Sequence, residues 1–155
     1  ALITSEDAKF LDHEGFDWEG MQTAWEKNLK KGKIVAGGST ISQQLAKNLF
    51  LSGKKTPWRK LEEAAITVMM EQMMSKRRIF EIYLNVIEWG NGVFGAEAAA
   101  KHYFRKSARS LSAGESAKLA AMVPNPRYYD KHRSDRRLLR KTRIIQRRMY
   151  YADYP

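Results

Sequence analysis

Apolar residues recur at intervals of three and four along almost the whole chain, and runs alternating Val, Ile or Thr with polar residues are missing. That period is helical, so the pattern predicts a mainly α protein. If residues 1–13 form one helix, Ile3, Glu6, Phe10 and His13 share a face. GFDWEG, residues 15–20, reads as a turn. Trp18, Met21, Trp25 and Leu29 then mark a helix over residues 18–30, broken by KGKIVAGG. Thr40 and Gln43 have the spacing of a capping box and open STISQQLAKNLFL. There Ile41, Leu45 and Leu49 form the expected buried stripe, and Thr40, Gln44 and Lys47 fall on another face.

The next helix is expected over residues 58–74. It is apolar all round from Ala64 to Met70, the mark of a central, buried helix, with Glu63 and Glu71 at the borders. IFEIYLNVIEWGNGVFG reads as a helix ending in a Gly-Asn-Gly loop. Tyr83, Leu84, Trp89 and Phe94 are its expected core residues, and Gly90, Gly92 and Gly95 its turn positions. AEAAAKHYF follows, then LSAGESAKLAAMV with a second capping-box pair, Ser112 and Glu115, stopped by PNP. RSDRRLLRKTRIIQRRM is a basic amphipathic helix. It could touch anionic headgroups or pack on the rest of the protein.

Size and composition narrow the picture. A chain of 155 residues suits one domain with a real core. There is no cysteine, so no disulfide or thiolate metal site, and His13, His102 and His132 lack metal-ligand spacing. The net charge of +11 points to an anionic partner: nucleic acid, anionic lipid or a phosphorylated substrate. No stretch is long and apolar enough to span a bilayer, and no signal-peptide pattern is present. The chain opens inside an expected helix with no capping residue before Ala1. That leads us to expect a shortened N-terminus.

Two features carry candidate chemistry. A carboxylate on an apolar stripe, as at Glu6, is costly unless paired, and burial favours its protonated form. That is one way to make a general base; the plainer reading is a capping or solvated acid at a terminus. The stripe Trp18, Met21, Trp25 and Leu29 is flanked by Lys27, Lys30, Lys31 and Lys33. Aromatics beside lysines suit a helix in a membrane interface, and an ordinary core stripe fits almost as well.

Four stretches in order, EDAKFLDHEG, GGSTISQQLAKNLF, RKLEEA and SKRRIFEIYLNVIEWGNGVFGAEAAAKHYF, resemble the peptidoglycan glycosyltransferase family. The match runs from Glu6 to about Pro126, and the tail RKTRIIQRRM is similar to the end of the family's monofunctional members. The resemblance implies a mainly α, two-lobed, lysozyme-like fold with a cleft between the lobes. It implies a single glycosyltransferase domain over residues 1–155, without the N-terminal transmembrane helix of family members. It further implies an enzyme of the bacterial inner membrane, with its catalytic domain on the periplasmic side. The enzyme would polymerise lipid II onto a growing lipid-linked glycan, with inversion at the donor C1 and release of undecaprenyl pyrophosphate.

In that reaction a carboxylate activates the acceptor C4 hydroxyl, and cations stabilise the pyrophosphate leaving group. Carried over residue by residue, the resemblance makes Glu6 the general base and Glu63 a second catalytic carboxylate. Glu63 would orient the donor, share a proton network or hold a divalent ion. Asp7, Ser39, Thr40, Gln44, Lys47, Asn48, Lys55 and Arg59 are the implied substrate-binding residues. Lys55 departs from the family, which usually has arginine there; lysine keeps the charge but loses the two-pronged fork. Without the resemblance, the run of Lys47, Lys55, Arg59 and Lys60 would be a solvated face. No cofactor is implied as required, though Mg or Mn could take part. The implied partners are lipid II, an anionic membrane surface and inhibitors of the moenomycin type.

Two other readings compete. A lysozyme-like hydrolase would use a glutamate as an acid, but it has no use for phosphate-binding cations. A nucleic-acid-binding module is allowed by the charge, but no recognition motif supports it, and nucleic acid is not an expected partner.

Overall fold

The computed structural model describes residues 1–34, 37–51 and 56–155. Helices α1 (Leu2–Glu6), α2 (Trp18–Lys31), α3 (Ile41–Phe50), α4 (Pro57–Met73) and α5 (Lys76–Val86) lead to a small hairpin. Its strands, β1 (Glu88–Gly90) and β2 (Val93–Phe94), run antiparallel with Glu88 opposite Phe94. Helices α6 (Ala96–Phe104), α7 (Ala113–Met122), α8 (Pro126–Lys131) and α9 (Arg136–Arg148) complete the order.

Capping chemistry sets the helix starts. Thr40 with Gln43 and Ser112 with Glu115 form the expected reciprocal boxes at α3 and α7. Asp17, Thr56, Ser75 and Asp135 accept from first-turn N–H groups of α2, α4, α5 and α9. Such caps contribute about 1 kcal/mol each. In the core, α3 packs on both α4 and α5, and α7 packs on both α1 and α9. Phe10, Ile41, Leu45, Ile79, Tyr83 and Leu138 are fully enclosed between them.

Several expectations are corrected. The first helix stops at Glu6 rather than running to His13, because Asp7 is extended (φ −162°) and its carboxylate accepts from the Ile41 N–H at 3.0 Å. This long-range bond outweighs the local helical pattern. Phe10 and His13 still meet, edge to face at 6.3 Å, but through turns. Helix α4 is not buried all round: Glu63, Thr67 and Met70 face inward, while Val68, Met69 and Met73 are exposed. Among the helices, α3 and α5 flank it closely, and the loop at Gly15 lies against Thr67 and Glu71, which leaves Val68, Met69 and Met73 open. Leu49 and Phe94 are also exposed rather than core.

The hairpin and α8 were not expected. Both depend on contacts distant in sequence: Arg127 Nε donates to Glu88 Oε1 at 2.9 Å, and the Asn91 N–H donates to Asp130 Oδ2 at 3.2 Å. Gly90 is a strand residue rather than a turn. A Cβ there would lie 2.3 Å from the Tyr103 hydroxyl, so it marks close approach. Gly92 and Gly95 do hold positive φ, as turn positions should.

The two basic amphipathic stretches separate. Helix α9 buries Leu138 and Ile145 against α7. Helix α2 buries only Ala24, and Trp18, Trp25 and Leu29 are 70%, 66% and 64% exposed. No described helix is long and apolar enough to cross a membrane.

Candidate active site

Glu6 is the last residue of α1, and its side chain is only 10% exposed. Three neighbours from three elements reach its carboxylate. Ser5 Oγ donates to Oε1 at 2.9 Å, Gln44 Nε2 of α3 approaches Oε2 at 3.4 Å, and Lys141 Nζ of α9 lies 3.5 Å from Oε1. Gln44 is oriented in turn, its Oε1 accepting from the Tyr83 hydroxyl at 2.8 Å. Burial, then the negative charges of Glu6 and Asp7, push the Tyr83 phenol well above its usual range. Tyr83 therefore remains a donor at every physiological pH, which fixes the Gln44 amide with its nitrogen toward Glu6.

Asp7, expected among the substrate contacts, is enclosed by protein. Its side chain is 2% exposed and accepts from His13 Nε2 at 2.9 Å and from the Ile41 N–H. His13 Nδ1 accepts from the Gly15 N–H at 3.1 Å, so both ring nitrogens are engaged and the proton sits on Nε2. Asp7 thus ties the end of α1 to the start of α3, the helix that carries Gln44 and Lys47. Asp7 also lines the hollow beside Glu6, with both of its carboxylate oxygens engaged by protein donors. Thr40 is likewise buried, its hydroxyl donating to the Gly15 carbonyl and capping α3.

Two hollows adjoin the Glu6–Gln44 pair. One, of about 200 Å³, is lined by Glu6, Ser39, Thr40, Gly37 and Gly38. The other, of about 350 Å³, is lined by Gln44, Lys47, Asn48, Glu88, Phe94 and Pro124. Lys47 and Asn48 are exposed, one helical turn beyond Gln44 on the same helix. Glu63 is buried on α4, with Lys60 Nζ 2.5 Å from Oε1. Arg59 is partly exposed in the first turn of the same helix. Lys55 lies outside the described residues. Glu71, a border residue of the apolar run, accepts from Ser42 Oγ at 2.5 Å and Lys76 Nζ at 2.7 Å and so joins α3, α4 and α5.

The sequence reading missed Tyr83 as an orienting group, taking it only for core, and missed Lys141 altogether. Lys141 carried a usable signal: it interrupts the apolar stripe of α9, as Glu6 interrupts that of α1. Among the described residues, no three His, Asp or Glu side chains come together as a metal cage.

A nearly buried carboxylate held by an amide and an ammonium, with open space beside it, is the equipment of general acid–base chemistry. The chain belongs to the transglycosylase family, whose model matches residues 1–150. It is a glycosyltransferase of peptidoglycan synthesis and so works in the cell envelope. Over all 155 residues it is 77% identical to the biosynthetic peptidoglycan transglycosylase of Laribacter hongkongensis and spans 68% of that protein. The proteins of the same name from Chromobacterium violaceum and Dechloromonas aromatica are 76% and 68% identical over the whole chain, which spans 68% and 67% of their lengths.

Proposed function

We propose that the protein polymerises lipid II, joining the C4 hydroxyl of an acceptor sugar to C1 of a donor with inversion and release of undecaprenyl pyrophosphate. The observation that carries this reading is the Glu6 carboxylate, nearly buried, with a hollow on its own side and a Lys47-lined cavity beyond its partner Gln44. Glu6 takes the proton of the acceptor hydroxyl as that oxygen attacks the donor C1. The acceptor lies in the hollow with Ser39. The donor pyrophosphate leaves toward Lys47, with Arg59 and Lys55 as further cations and Asn48 as a polar contact. Its negative charge is stabilised by those cations rather than by a strong acid. Asp7 and Thr40 act one step back, by fixing α3 against α1.

Glu63 orients the donor through its pair with Lys60. One carboxylate already paired with lysine does not fit a resident Mg or Mn site, so no step is routed through a metal. The exposed face of α2, with its tryptophans and lysines, rests on the anionic surface of the inner membrane, and catalysis takes place on the periplasmic side.

The test is Glu6→Gln, which keeps size and hydrogen bonding but cannot accept a proton. Incubation with labelled lipid II should show turnover lower by about 10²–10⁴, the usual worth of a positioned base. Thermal unfolding and binding of moenomycin should report a folded protein. More than about a tenth of wild-type turnover would contradict the role of Glu6.

A further inference from the structure

We propose that Lys141 is a positioning residue for Glu6: its ammonium keeps the carboxylate aimed at the acceptor. This rests on the reading of Glu6 as the base.

The argument starts from α9. Arg136, Arg137, Arg140, Arg143, Arg147 and Arg148 are all exposed on that helix. Lys141 differs from them, its side chain half-buried at 37% exposed. It lies three residues after Leu138 and four before Ile145, on the stripe that docks against α7. A cation on a docking stripe is costly unless an opposite charge meets it. The charge it meets is Glu6, 3.5 Å away, itself the polar interruption of the α1 stripe. Lysine suits the task, because a flexible stem can lie along apolar surface and deliver a compact charge at its end.

The other charged and titratable groups nearby do not replace it. Asp7 points to His13 and Ile41. Tyr83, from α5, stays a neutral phenol. Lys47, on α3, lines the cavity beyond Gln44. Helix α7 carries Glu115, which is paired with Lys106, and Lys118, and it buries Ala117, Ala120 and Ala121. Among the described residues, Lys141 is the cation at ion-pair distance from Glu6.

A carboxylate that swings away from the acceptor cannot take its proton. Removing the ammonium frees Glu6 to swing, and turnover should fall while substrate binding is kept. The experiment compares wild type with Lys141→Met, which keeps the stem, and Lys141→Arg, which keeps the charge. For Lys141→Met, kcat on lipid II should fall about tenfold, with KM near wild type and the protein folded. Lys141→Arg should restore kcat.

An unchanged kcat, or a loss carried by KM, would overturn the proposal. A second measurement needs no turnover: a double-mutant cycle in denaturant unfolding that combines Lys141→Met, or Lys141→Gln should the Met variant not fold, with Glu6→Gln. The two changes should be non-additive, and additive losses would overturn the pairing. A wild-type protein inactive on lipid II would instead overturn the proposed function and leave the cycle standing.

Discussion

Helices α2 and α9 are built from the same materials, a short apolar stripe among many basic residues, and they end up in opposite situations. Helix α9 sinks Leu138 and Ile145 into the core, whereas α2 leaves Trp18, Trp25 and Leu29 in the open. The difference lies in the partner rather than in the helix. Helix α7 offers α9 a surface of Ala117, Ala120 and Ala121, which lets two backbones approach closely. The wide indoles of α2 stay largely exposed among the described residues, Trp18 meeting only the ring of Phe16 in a stack. An amphipathic pattern therefore specifies a face, and only the complementary element decides whether that face meets protein or something else.

The sharpest way to break this comparison is to shorten the α9 stripe. Leu138→Ala should cost about 2–5 kcal/mol in denaturant unfolding, because the site is sealed and a cavity is left behind. A loss below about 0.5 kcal/mol, the size of an ordinary surface change, would mean that α9 is only loosely docked.

The matching change in α2 should act on another observable. Trp18→Ser with Trp25→Ser should shift unfolding by no more than about 0.5 kcal/mol per site. It should weaken sedimentation with anionic vesicles by about 1.5–3 kcal/mol for each tryptophan that leaves water on binding. Binding by the unaltered protein should fall as salt is raised. Vesicle affinity unchanged by both substitutions would assign α2 some other partner.

The smallest effect concerns the start of α9. The Arg137 N–H beside Asp135 holds its carboxyl below the usual aspartate range. A depressed folded value means that the cap contributes fully above the ordinary aspartate range and is lost as pH falls through the folded value. Amide exchange in the first turn of α9 should therefore quicken at acid pH, and Asp135→Asn should remove that pH dependence. Equal acid sensitivity in the variant would place the effect elsewhere.

Much of this was legible in sequence, and what was not has physical causes. Helix starts were readable because caps are local: Thr40 with Gln43 and Ser112 with Glu115 needed only a three-residue spacing. Glu6 was readable as a polar residue on an apolar stripe. The end of α1 was not, since the Asp7–Ile41 bond spans 34 positions. The hairpin and α8 escaped for the same reason, being tied by Glu88–Arg127 and Asn91–Asp130 across 39 positions each. The apolar run of α4 misled, because an all-round hydrophobic segment says that water is avoided but not what replaces it. Within the site, helical spacing put Gln44 and Lys47 on one face and the family resemblance supplied their roles, whereas the Tyr83 and Lys141 contacts arise only when α5 and α9 come in.

The outward face of α4 has a chemical consequence. Met69 and Met73 are 57% and 79% exposed and, with Phe50, Ile66, Met70 and Met74, line an apolar groove of about 390 Å³. Met122, in α7, is 1% exposed. The methionines are therefore unequal before an oxidant. Peroxide would convert the thioethers of Met69 and Met73 to sulfoxides first, making the groove polar while the interior stayed reduced.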